Sequence, residues 1–296
     1  MNSSVPEPEW WTARVPEPEP EHEPEPEPEA TLLESNRPIV YVIVCVTWIS
    51  LIITGNLWVV VSIIRTKLQR KNVVYLYVMS VSVSSMLIAL LVLPVYLVSL
   101  AGVLTSWLCK LCHFTLDLCV SANTLSQMAG AYFEWQNSVK AKPLSYRNHA
   151  FRLALLWLLA FLFSFSSAFE YDFLAKTGQC GLNVPPSVMK GVKLSHMIRN
   201  TLIHPLFTIV INLRTICSPS VNRKIAISLL TLSISYVLLS VPLTVFDFCV
   251  VLGEVHVFDH IRTDFQLLAF AYEWFSVVVF LCFDRSIRNA CFCRTQ

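Results

Sequence analysis

The chain is 296 residues long, 55% apolar and only 14% charged, against roughly 25% charged in soluble proteins. Its formal net charge of +2 hides two opposed parts. Up to Arg37, ten glutamates face only Arg14 and Arg37, a net of −8, whereas the remainder carries 20 Lys/Arg against 10 Asp/Glu, a net of +10. An apolar body cut into spans by basic connections excludes a cytosolic globular domain, a nucleic-acid-binding domain and a small disulfide scaffold; it reads as a membrane protein with the lipid bilayer as its solvent and no nucleic-acid partner.

Residues 1–37 lack the basic start and apolar stretch of a cleavable signal, so they are expected to persist as a tail. From Pro16 to Glu29 proline and glutamate alternate, with His22 where a proline would fall. Such a segment cannot bury a core, and its self-repulsion favours an extended, disordered polyproline II arm on the order of 40 Å long at about 3.1 Å per residue. Trp10 and Trp11 read either as an aromatic anchor or as part of an uncollapsed spacer. Asn2-Ser3-Ser4 is an N-glycosylation sequon, with Asn2 as the acceptor.

After the tail, seven apolar segments are long enough to cross a bilayer as helices: 38–64, 73–98, 109–134, 152–171, 192–213, 225–252 and 264–283. Lys193, His196, Arg199 and His204 interrupt the first half of the fifth, which only a helix with its polar side toward the bundle tolerates. Fourteen of the 22 Lys/Arg, among them Arg65, Lys71, Lys140, Lys142, Arg147, Arg214, Arg223 and Arg288, lie in the connections on one side. Short cytoplasmic loops are enriched in these residues, so the amino terminus is expected outside and the carboxyl terminus inside. The expected architecture is an all-α membrane protein: a disordered acidic tail over 1–37, a seven-transmembrane bundle over 38–283 and a short cytoplasmic tail over 284–296.

Several local features follow in order: Gly55-Asn56 in span one, Pro94 in span two, Trp157 in span four, Pro205 in span five and Pro242 in span six. Taken with seven helices and an outer amino terminus, their order and spacing resemble the rhodopsin-like (class A) G-protein-coupled receptors over residues 38–293. The resemblance implies a plasma-membrane receptor with a heterotrimeric G protein as partner. It also implies a disulfide from the outer end of helix three to the second outer loop. Here that pairs Cys180 with Cys109, with Cys112 as the alternative, because helix three carries a one-residue offset. The segment Asp284-Arg285-Ser286-Ile287-Arg288 is like the short amphipathic helix after span seven in these receptors, which makes Cys291 and Cys293 either lipidation sites or free thiols of a frayed tail.

The chain departs from the family at nearly every polar switch position. The acidic Arg-containing triplet at the inner end of helix three is Glu134-Trp135-Gln136; the usual Asp of span two is Ser85; the Asn-Pro motif of span seven reads Ser276-Val277-Val278-Val279-Phe280; and the Trp before Pro242 is Ser240. Loss of acid and amide together implies loss of the family's sodium pocket. Either the inactive lock is gone and the receptor signals without ligand, or the arginine that meets the G protein is gone and coupling is weak. This pattern is similar to a gammaherpesvirus-encoded orphan receptor, which implies constitutive signalling through an inhibitory-type G protein and removal of class I histocompatibility molecules from the host cell membrane. The competing reading is a non-signalling membrane adaptor that captures or down-regulates a host surface protein. With the usual arginine absent, contact with an acidic partner surface would fall to Lys140, Lys142, Arg147, Arg214, Arg223 and Arg288 beside Glu134, Trp135 and Gln136.

Ionisable groups inside spans are functional candidates by default, because each costs a few kcal/mol or more in hydrocarbon. Asp117, Arg199, His204, Asp247 and Glu273 make up this set. Asp117 reads either as a ligand counter-ion or as a structural partner of His204, Arg199 or a hydroxyl. Glu273 could offset the missing acid at Ser85. The acidic tail would recruit a basic extracellular ligand such as a chemokine. No Gly-rich phosphate loop, Ser-His-Asp order or metal-binding His pair occurs, so neither an enzyme nor a cofactor nor a metal is expected. The absence of an internal repeat argues against a transporter.

Overall fold

The computed structural model describes residues 32–100, 105–139, 145–165, 169, 171–174, 179–182, 191, 194–195, 198, 203–217, 223–252 and 259–292; for 32–37, 100, 137–139, 171–174, 179–182, 248, 250–252 and 259–260 it describes the backbone alone. The elements in chain order are α1 (Leu32–Thr66), α2 (Leu68–Lys71), α3 (Val74–Leu87), a π-helical turn (Ile88–Val92), α4 (Leu93–Leu100), α5 (Ser106–Val139) and α6 (Tyr146–Phe165). An antiparallel hairpin, β1 (Tyr171–Leu174) and β2 (Gln179–Leu182), precedes α7 (His204–Ile216), α8 (Arg223–Leu252), α9 (Asp259–Phe283) and α10 (Arg285–Cys291). The chain divides into two units, Met1–Val40, of which the described part is helical, and Tyr41–Gln296.

Four helical stretches are long and apolar enough to cross a membrane: Pro38–Thr66, Val74–Ser99, Arg223–Asp247 and Ile261–Phe283. They mark an integral membrane protein, since such lengths of apolar helix satisfy every backbone group internally. The 34 residues of α5 and the 20 of α6 have sufficient length; α6 opens on Arg147, Asn148, His149 and Arg152. α7 contributes 13 residues, and most of residues 192–202 lie outside the described set.

Several boundaries differ from the expected ones. Helix α1 begins at Leu32, inside the expected tail, and continues through Pro38; Ser35-Asn36-Arg37 does not stop it. The fourth helix starts six residues earlier than 152 and cannot run to 171, because Tyr171 already pairs with Leu182 in the hairpin. That hairpin is the one departure from an all-α architecture among the described residues. Span two runs through Pro94, as its expected bounds require. Proline lacks an N–H and its ring crowds the carbonyl four residues back, and the chain absorbs this as the π-helical turn Ile88–Val92 immediately before it.

The core combines large apolar side chains, among them Ile52, Ile63, Tyr77, Tyr272 and Phe280, with buried hydroxyls. Ser80, Ser82, Ser84 and Ser85 of α3 are all buried. Ser84 and Ser85 donate to the Val81 carbonyl at 2.8 and 3.1 Å, so neither hydroxyl is left unmatched inside the bundle. Ser80 Oγ lies 2.8 Å from Ser126 Oγ and accepts from Trp157 Nε1 at 2.8 Å, joining α3, α5 and α6. Gly55 marks the crossing of α1 and α9: a Cβ there would stand 3.1 Å from both γ-methyls of Val277. The outward faces are apolar, as Phe151, Leu158, Leu162 and Phe165 of α6 show by their exposure, which suits lipid rather than water.

Candidate functional site

Polar side chains gather at three levels along the bundle. At the middle, Glu273 of α9 is 5% exposed, and its carboxylate accepts from Ser85 Oγ of α3 at 2.5 Å. The Glu273 backbone carbonyl accepts from Asn56 Nδ2 of α1 at 3.3 Å and from Ser276 Oγ at 2.9 Å. A carboxylate on α9 thus reaches a buried serine on α3. One turn deeper, Gln127 Nε2 of α5 donates to Asn123 Oδ1 at 2.7 Å and to Tyr272 Oη at 2.6 Å. Helices α1, α3, α5 and α9 are thus cross-linked by side-chain hydrogen bonds without a charged partner for Glu273 among the described residues.

Toward the end that carries the basic connections, Glu134 lies in the last turns of α5, which runs on to Val139, and is 4% exposed. Its partner is Asn72, between α2 and α3, whose Nδ2 donates to Oε2 at 3.2 Å. Asn72 Oδ1 meanwhile accepts from the Val74 backbone N–H at 2.9 Å and starts α3. Asp284, between α9 and α10, is 3% exposed. It accepts from the Ser286 and Ile287 N–H groups at 2.8 and 3.2 Å and from Tyr75 Oη at 3.1 and 3.2 Å. Burial raises its carboxyl above the usual aspartate value, and the two N–H donors of α10 pull the other way. Trp135 is half-buried with its ring tilted against Tyr132, and Gln136 Nε2 donates to the Tyr132 hydroxyl at 3.1 Å.

Of the expected inner cations, Arg147, Arg214 and Arg223 are exposed, and Lys140 and Lys142 lie outside the described residues. Arg288 is half-buried; its Nη1 donates to the Leu281 and Cys282 carbonyls at 3.1 and 2.8 Å, which satisfies the open end of α9. Cys291 is 7% exposed and packed in the core cluster with Ile287 and Tyr75. Cys293 and Asn2 lie outside the described residues.

At the opposite end, Cys109 is disulfide-bonded and Cys112 is a free thiol, which removes Cys112 as the alternative. The side chain of Cys180 lies outside the described set, while its backbone sits in β2 opposite Phe173. Asp247 forms an ion pair with Arg262 at 3.1 Å, and Tyr41 Oη donates to Asp264 at 3.0 Å. Asp117 is half-buried and engaged. His204 Nδ1 lies 2.8 Å from Met128 Sδ, and Arg199 lies outside the described residues. The ionisable candidates therefore do not converge on one pocket: Asp247, Glu273 and His204 each have a separate partner.

Sequence reading missed Asn72, Tyr75 and the Ser80–Ser126–Trp157 junction. Only Asn72 left a signal, as an asparagine at the start of an apolar helical run. Neither a protein-family model nor a curated protein matches the chain.

Proposed function

We propose that the chain is a seven-span, receptor-like signalling protein of the plasma membrane, with its amino terminus outside and an active state that needs no ligand. The observation that carries this reading is the Glu134–Asn72 hydrogen bond at 3.2 Å. It ties the inner end of α5 to the start of α3, and no hydrogen bond or ion pair described for Glu134 reaches α8. A lock that fastens helix three to helix six holds a bundle closed; a contact between α5 and α3 leaves α8 free to swing. The middle of the bundle supports the same reading, since Ser85–Glu273 ties α3 to α9 and also bypasses α8.

The partner on the inner side is a heterotrimeric G protein, met by the exposed Arg147, Arg214 and Arg223 without the fixed direction that an arginine on α5 would give. The test is the basal second-messenger level in cells expressing the chain, compared with empty vector at verified surface expression and across the main G-protein classes. Output above control is expected. Output equal to control in every class overturns the proposal and leaves the adaptor that captures a host surface protein.

A further inference from the structure

We propose that His149 is a proton-operated latch: neutral, it holds the start of α6 against α3 and α5; charged, it leaves them and frees that end of the helix. His149 sits in the first turn of α6, where its N–H donates to the Ser145 carbonyl at 3.3 Å. The four residues before it, Ser145 to Asn148, are exposed, yet His149 is 1% exposed. So deep a seat is uncommon for a side chain with two polar ring atoms, and a buried polar group needs its partners.

Three helices meet at this ring. Tyr77 of α3, itself 1% exposed, places its hydroxyl 3.2 Å from Nδ1. Phe133 of α5 stands edge-on to the imidazole with ring centres 4.6 Å apart, and stacks on Tyr77 at 5.5 Å. The guanidinium of Arg152, one turn along α6, rests on the same Phe133 ring, 5.1 Å from its centre. Nε2 of His149 is buried and has no hydrogen-bond partner among the described residues.

This setting admits the neutral ring and rejects the charged one. In the neutral ring one nitrogen donates and the other accepts, and the Tyr77 hydroxyl matches Nδ1 in either tautomer. A second proton, taken from the adjoining water, makes both nitrogens donors; Tyr77 accepts from one, and the Nε2 proton meets nothing. The ionisable groups around the ring give no relief. From α3 comes Tyr77; from α5 comes Phe133, with Tyr132 beyond it and Glu134 committed to Asn72; from α6 come Arg152 and the exposed Arg147. No carboxylate pairs with His149 among the described residues, and Arg152 repels a charge there. Burial first and Arg152 second hold this imidazole, which precedes the apolar run at 152, below its ordinary value. The sealed state is therefore favoured above the ordinary imidazole value and loses ground as pH falls below it. Among the described residues the other side-chain hydrogen bond from α6 to α3 is Trp157 to Ser80, two turns farther on, so release of His149 leaves the start of α6 without one. The inference stands on this cluster alone, whether or not the chain signals.

Hydrogen–deuterium exchange of the full chain in phosphatidylcholine nanodiscs, from about pH 8 to about pH 5, tests this, because mass spectrometry follows both the backbone amides of residues 147–156 and the slow imidazole C2–H of His149. After correction for the intrinsic pH dependence of amide exchange, those amides are expected to exchange several-fold faster on the acid side. The midpoint should equal that of the His149 C2–H and lie below that of the unfolded chain. His149→Phe, which keeps a ring beside Phe133 but takes no proton, is expected to lose the acceleration. Arg152→Gln, which removes the nearby cation, is expected to move the midpoint upward. The parent chain alone supplies the first two readouts, so they decide the matter even where a variant fails to fold. No acceleration in the parent chain, a midpoint different from that of His149 itself, an equal acceleration in His149→Phe, or a midpoint that does not rise in Arg152→Gln would each overturn the proposal.

Discussion

The contact between Glu134 and Asn72 sets a sharp expectation for a double-mutant cycle. Asn72→Ala removes a donor 3.2 Å from a buried carboxylate and the acceptor that holds the Val74 N–H at 2.9 Å. A hydrogen bond to a charged group contributes about 1.5–3 kcal/mol, and loss of a helix-start acceptor costs about 1 kcal/mol. The single variant should therefore lose about 2.5–4 kcal/mol of stability. Glu134→Gln keeps the shape and an acceptor oxygen, and should lose about 1 kcal/mol. The two share one contact, so the cycle should return a coupling of about 1–2 kcal/mol. Unfolding of purified protein in detergent, followed by tryptophan fluorescence, gives these values. Basal second messenger in cells at matched surface expression gives the functional half of the test. If Glu134 held α8, removing about 1.4 kcal/mol would raise the active-to-inactive ratio tenfold; because it holds α3 instead, Glu134→Gln should change basal output less than about two-fold. A several-fold rise in basal output from Glu134→Gln, with a coupling to Asn72 near zero, refutes the reasoning.

Four further outcomes are expected. Cys109→Ser should lower surface expression, since a bond closing a long loop contributes a few kcal/mol, whereas Cys112→Ser should not; non-reduced peptide mapping should recover Cys109 joined to Cys180, and recovery of Cys180 alkylated without reduction would sink that pairing. The raised carboxyl of Asp284 binds its proton more tightly folded than unfolded, so its contribution to stability is present below about pH 4 and is lost as pH rises through the folded value; the melting temperature of the parent chain relative to Asp284→Asn, which still caps α10, should fall as pH goes from acid to neutral, and a rise would contradict it. Trp157→Phe removes the 2.8 Å bond to Ser80 while Ser80 and Ser126 stay paired, and should cost about 1 kcal/mol in detergent unfolding. Deleting residues 1–30 should slow association with a basic ligand at low ionic strength and leave the dissociation rate nearly unchanged, the difference fading with added salt; equal association rates in surface-binding measurements would leave the arm a spacer.

Composition and periodicity by themselves determined that the chain lives in a membrane and where four of its spans lie to within several residues; the short helix opened by Asp284-Arg285 was expected from the resemblance. These are local properties: apolar run length against bilayer thickness, and an aspartate whose side chain reaches the N–H groups two and three residues on. The resemblance suggested that Glu273 could offset the missing acid at Ser85, but the hydrogen bond between the two comes from the structure. What the sequence left open was decided by which faces meet. Glu134 has no preference in sequence between α3 and α8; the rotation of α5 against the turn before α3 puts Asn72 within reach and settles it. Arg288 and Cys291 look free in the sequence, yet the fold of α10 back under α9 turns one onto open carbonyls and the other into the core. The polar stripe of His204, Thr208, Asn212 and Thr215 on α7 shows the same limit: its spacing is visible in the sequence, but only the packing of α5 and α8 against it buries Asn212 where its amide meets no hydrogen-bond partner among the described residues, because hydrogen-bond satisfaction is a property of neighbours and not of the segment that carries the group.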